Sequence, residues 1–78
     1  MSLNRKLMWE GKKYDSWAFM DHGMDYRRML YIFSLASGAS VKETAARFYV
    51  SPSRIYTVLR EFKAALKKVK PVDKIRWN

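Results

Sequence analysis

Side chains able to do covalent or metal chemistry are few. The chain has no cysteine and one histidine, His22. A Ser/His/Asp or Cys/His arrangement, a thiolate metal site and a glycine-rich phosphate loop therefore have no residues to draw on. The carboxylates do not form a cleft pair either. Asp25 and Glu43 fall where helices begin, which is a capping role. No enzymatic activity, metal or cofactor is expected. The excess is in cationic hydrogen-bond donors, with 16 Lys and Arg against 7 Asp and Glu and a net charge of +9. The sequence pI is about 10.1. Arg54, Arg60, Lys63, Lys67, Lys68, Lys70, Lys74 and Arg76 crowd the C-terminal third against Glu61 and Asp73 alone. That is the electrostatic footprint of a nucleic-acid binder.

The elements that must carry these cations fit one domain, since the chain has 78 residues. A core this small is marginal, so dimerisation is a reasonable expectation. An apolar share of 49% is that of a globular chain. A small secreted domain would need disulfides that cysteine-free sequence cannot make. No apolar run approaches the roughly 18 residues that cross a bilayer. The start, MSLNRKLMWEGKK, is broken by charges and has no signal-peptide apolar stretch. A cytoplasmic location follows as an expectation, with nucleoid association when bound.

Residues 25–37 read as a helix, opened by Asp25 and closed by Gly38. Tyr26, Leu30, Phe33 and Ser37 mark one face and Met29, Ile32 and Ala36 a neighbouring one. So apolar a helix needs cover on more than one side, from the N-terminal segment or from a second subunit. Residues 41–49 form a short helix with a Ser40/Glu43 capping box. Residues 52–70 form a third helix, with Ser51 as cap, Pro52 at the first position and Pro71 as stop. Its inner stripe is Ile55, Val58, Leu59, Phe62 and Leu66. Residues 1–24 are an N-terminal extension in which Leu7-Met8-Trp9, Glu10-Gly11 and Lys12-Lys13-Tyr14 weakly signal a hairpin. Asp15 or Ser16 is an alternative start for a short helix there. The methionines Met8, Met20, Met24 and Met29 suit packing. Residues 71–78 are a basic tail. The expected fold class is all-α, a three-helix domain over 25–70 with an extension of unassigned structure.

In SVKETAARFYVSPSRIYTVLREF two helices meet at a short turn. Ala45 supplies the small residue at their contact, Val50 anchors the turn, and Ser51-Pro52 caps the second helix. Here the chain resembles the helix-turn-helix superfamily, over 40–62 and more loosely over 25–68. The run from Tyr26 to Lys68 looks most like sigma-factor region 4 and the output domains of LuxR-type regulators, and it is also similar to KorA-type and PapB-type small repressors. One departure is Tyr49, which stands where these turns usually carry a glycine. Either the turn is built differently or Tyr49 bears a strained backbone.

The resemblance implies a recognition helix in the major groove of double-stranded DNA, with Ser53, Arg54, Tyr56, Thr57 and Arg60 at base edges. Arg54 and Arg60 would each pair with a guanine, and Thr57 would offer a methyl or a hydroxyl. Ser40, Lys42, Arg47, Ser51 and Lys63 would position the phosphate backbone. The expected function is that of a small prokaryotic, phage or plasmid transcriptional regulator, such as a repressor, acting as a homodimer. Two rivals are the DNA-binding subunit of a recombination, replication or partition complex, and a sigma-like module that docks on RNA polymerase. The second would use Trp9, Trp17 and Trp77 as its contact surface.

Overall fold

The computed structural model describes residues 4–72. Two strands, β1 (Lys6–Trp9) and β2 (Lys12–Asp15), precede four helices: α1 (Ser16–Met20), α2 (Tyr26–Ala36), α3 (Val41–Arg47) and α4 (Pro52–Leu66). The strands pair antiparallel, with Leu7 opposite Tyr14 and Trp9 opposite Lys12. The fold is therefore mixed α/β, which corrects the all-α expectation. The cause is a period-two pattern only four residues long. Leu7 and Tyr14 point inward and are buried, while their strand neighbours are exposed or half-buried. The connecting turn has positive φ at both Glu10 (49°) and Gly11 (78°), as a two-residue hairpin requires. Glutamate at the first of these positions explains why the hairpin signal is weak in the sequence.

Hairpin and short helix are both present, in series. Asp15 ends β2 and caps α1 by accepting from the Trp17 amide at 3.1 Å. Ser16 ties the segment together, its amide donating to the Arg5 carbonyl at 2.8 Å and its hydroxyl to the Asn4 carbonyl at 2.8 Å.

The core is continuous from one end of the described chain to the other. Leu7, Tyr14, Phe19 and Met24 join Met29, Ile32, Ile55, Val58 and Phe62 in one buried cluster. Phe62 of α4 lies between Trp9 and Phe19, with ring centroids 4.8 Å away in each case. The hairpin and α1 thus cover one side of α2, and α3 covers another through Tyr31 against Phe48 at 4.9 Å. The deep residues of α2 are Met29, Tyr31, Ile32 and Ser34, whereas Tyr26 is exposed. Of the two covers expected for the second face of α2, the N-terminal segment or a second subunit, the N-terminal segment is the one packed on it here. Two of the four methionines, Met24 and Met29, are core, and Met8 and Met20 are exposed.

α4 ends at Leu66 rather than at residue 70. The residue before Pro71 is disfavoured in helical conformation, and Val69 turns inward to be buried. The Val72 amide then donates to the Lys13 carbonyl at 2.8 Å, laying the chain beside β2.

Candidate nucleic-acid interface

The geometry begins at the end of α3. The Val50 amide donates to the Ala45 carbonyl (3.0 Å) and the Tyr49 amide to the Ala46 carbonyl (3.3 Å), the hydrogen-bond pair of a Schellman ending. Tyr49 takes the left-handed position with φ 56°. The turn is therefore the one a glycine would make, and Tyr49 carries the strain. Its side chain is 95% exposed. Ala45 is buried, as a close crossing of α3 on α4 demands.

Both helices start with capped N-termini. The Ser40 amide donates to Glu43 Oε1 at 2.9 Å, and the Glu43 amide donates to Ser40 Oγ at 3.0 Å. The Ser40 amide, and after it the Ser40 side chain, hold the Glu43 carboxyl below its ordinary value of 4.5. Ser51 Oγ accepts from the Arg54 amide at a longer 3.4 Å, with Pro52 following.

On α4, Ile55, Val58, Phe62 and Ala65 face the core. Ser53, Tyr56, Thr57 and Arg60 are exposed and follow one another at i, i+3, i+4, i+7, so they form a single outward stripe. Lys63 and Lys67 extend it. Tyr56, Leu59, Arg60 and Lys63 line an open groove of about 350 Å³ beside it. The Thr57 hydroxyl donates back to the Ser53 carbonyl at 3.0 Å, and the residue is exposed. Arg54 is exposed but lies off the stripe, about 120° round the helix from Arg60. It shares its flank with Glu61.

Charge on this face is unopposed because the nearby acids are engaged elsewhere. Arg28 of α2 donates from Nε to Glu61 Oε1 at 3.1 Å and from Nη1 to Asp25 Oδ2 at 2.6 Å. The Glu61 hydrogen bond and the Asp25 charge raise the guanidinium's pKa further. Glu61 is the one acid within α4. Among the described residues Arg54, Arg60 and Lys63 have no ion-pair partner.

The proposed backbone contacts divide. Ser40 and Lys42 lie at the start of α3 and Ser51 at the start of α4, all exposed. Lys63 is on the outward side of α4. Arg47, at the end of α3, is exposed too, and its Nη1 donates to Ser34 Oγ at 3.2 Å. Ser34 in turn shares a buried 2.9 Å hydrogen bond with Thr44, so Arg47 serves the seam between α2 and α3. Neither this hydroxyl pair nor the pairing of Arg28 with Glu61 was legible in the sequence, since each joins residues distant in the chain.

The aromatic surface is reduced. Trp9 packs on Phe62, and Trp17 is exposed beneath the Arg5 guanidinium at 4.2 Å. Trp77 lies outside the described residues. His22 sits in the exposed turn after α1. No helix among the described residues is long and apolar enough to cross a membrane. Comparison of the chain with protein-family models, with curated proteins and with solved structures finds no match to any of them.

Proposed function

We propose that this chain is a helix-turn-helix protein that binds double-stranded DNA and acts in transcription regulation in the cytoplasm, with α4 in the major groove. The observation that carries the proposal is the outward stripe of α4. Ser53, Tyr56, Thr57 and Arg60 stand exposed on one face, and the helix's one acid is turned away to Arg28. A base edge can accept two hydrogen bonds from Arg60, and a thymine methyl can meet the methyl of Thr57. The exposed starts of α3 and α4, with Lys42 and Ser51, suit phosphates on either side. Arg54, off the stripe, fits a phosphate contact better than a base.

The reading needs no second chain to complete the core. For the polymerase-docking alternative, Trp9 is half-buried against Phe62 and Trp17 is exposed.

Selection of bound fragments from genomic DNA, followed by titration against salt, tests the proposal. Affinity should fall by about 0.9 log units per log unit of salt for each phosphate neutralised. Arg60→Ala should cost about 1–3 kcal/mol on the best site and relax preference at one base position. Absence of duplex binding at low salt would refute the reading.

A further inference from the structure

We infer that the groove along one flank of α4 is a subsite for a single sugar-phosphate unit of the duplex. Tyr56 and Lys63 hold the backbone of one strand there, while Arg60 and Thr57 face base edges. The inference rests on the DNA-binding proposal and deepens it, dividing the exposed face of α4 into a reading line and a clasping edge.

At about 100° per residue, the exposed residues of α4 occupy about half of its circumference. Lys63 and Tyr56 stand at one margin of that arc and Arg54 and Glu61 at the other, with Arg60, Ser53 and Thr57 between them. Just inside the first margin, Leu59 is half-buried. Tyr56, Leu59, Arg60 and Lys63 line one open groove of about 350 Å³ there. The two margins differ in chemistry. The Glu61 margin carries a carboxylate, held by Arg28 Nε at 3.1 Å. The groove margin has no acid in its lining. Among the described residues, Arg60 and Lys63 have no ion-pair partner and the Tyr56 hydroxyl has no hydrogen-bond partner.

The occupant follows from width, charge and continuity. An α-helix with its side chains is about 10–12 Å across. The major groove is about 12 Å wide. A helix lying in that groove fills it from wall to wall. The middle of its exposed arc then meets base edges, and its margins meet the two sugar-phosphate walls. A deoxyribose offers an apolar ring face, and its phosphate offers negative charge with acceptor oxygens. Leu59 and the Tyr56 ring match the first, and the Lys63 ammonium and the Tyr56 hydroxyl match the second. Arg60 lines the groove and also belongs to the outward stripe, so the subsite is continuous with the reading line. Tyr56 therefore gives affinity and register without sequence preference.

The test compares Lys63→Gln, Tyr56→Phe and Tyr56→Ala with wild type in the full chain. Each is titrated on the selected duplex, with its phosphates replaced one at a time by neutral methylphosphonate. Lys63→Gln should lower the salt slope by about 0.9, which is roughly 8-fold weaker binding at 0.1 M salt, converging on wild type near 1 M. Tyr56→Phe should weaken binding about 10-fold with the slope unchanged, because it removes a hydrogen bond to a charged group and no charge. Tyr56→Ala should lose about fivefold more as the ring leaves the sugar. All three should keep wild-type base preference. One methylphosphonate position should weaken wild type more than it weakens either Lys63→Gln or Tyr56→Phe. If no position is shared by the two in this way, or if Tyr56→Phe relaxes preference at one base, the subsite is overturned and the DNA-binding reading stands. If Tyr56→Ala converts a free wild-type dimer to a monomer in sedimentation, the groove seats a second copy of the chain, and the sugar-phosphate assignment is overturned. Absence of wild-type binding to any duplex removes both readings.

Discussion

The two ends of the short helix α3 are bounded by the same kind of turn made from different residues. Before it, α2 ends with the Gly38 amide donating to the Leu35 carbonyl and the Ala39 amide to the Ser34 carbonyl, with Gly38 at φ 104°. After it, α3 ends with the matching pair of bonds and Tyr49 at φ 56°. Glycine occupies the left-handed position freely, whereas a residue with a Cβ does so at a cost of about 1–2 kcal/mol. The turn at Tyr49 must therefore be imposed by its surroundings. Val50 seated beside Ala45 and the cap at Ser51 do this, so local preference yields to packing. At Gly38 local preference and packing agree.

The comparison breaks most sharply at Ala45. Ala45→Leu overfills the crossing of α3 on α4 and should destabilise the chain by about 1–3 kcal/mol. That corresponds to a fall in Tm of roughly 4–8 °C per kcal/mol in a domain of this size, measurable by thermal unfolding. DNA affinity should drop with it, because the imposed turn loses its support.

Exchanging the turn residues sharpens the contrast. Gly38→Ala meets no atom within 4 Å, so its cost is that of the backbone alone, about 1–2 kcal/mol. Tyr49→Gly should have the opposite sign and stabilise by about 1 kcal/mol, since relief of the left-handed Cβ outweighs the gain in unfolded-state entropy. Denaturant titration of the two variants checks both signs. Destabilisation by Tyr49→Gly would mean that the exposed ring makes contacts that outweigh its backbone strain.

The two caps should also differ. Ser40→Ala removes one half of a reciprocal box and should cost about 1 kcal/mol, while Ser51→Ala loses a 3.4 Å contact at a site where Pro52 already fixes the first turn, and should cost less. Equal losses would show that the caps are equivalent.

The smallest effect is with pH. Glu43 has a folded pKa below its ordinary 4.5, so its contribution is fully present above pH 4.5 and is lost as pH falls through the lowered folded value. Stability should therefore decline a little more steeply below pH 4.5 in the native chain than in Glu43→Gln, as read from unfolding curves across that range.

The elements around α3 were legible because their signals are local. Ser40 with Glu43, Ser51 with Pro52, and the apolar spacing of Ile55, Val58 and Phe62 each lie within one or two turns. The hairpin was poorly legible because its strands are four residues long and Glu10 stands where the turn favours asparagine or glycine. The stripe on α4 followed from helical spacing, but Arg54 did not belong to it. The positions of Arg47 and Glu61 depended on partners in α2, which no local pattern encodes.

The ring of Phe62 held between Trp9 and Phe19 also bears on synthesis. An isolated two-stranded hairpin is at best marginally stable in water. The hairpin strands would therefore find their packing partner only after Phe62 had been translated. Until then Leu7, Trp9, Tyr14 and Phe19 remain open to solvent or to a chaperone. The hairpin is made before the helix that secures it, and a chain ending before Phe62 would be unable to close this core.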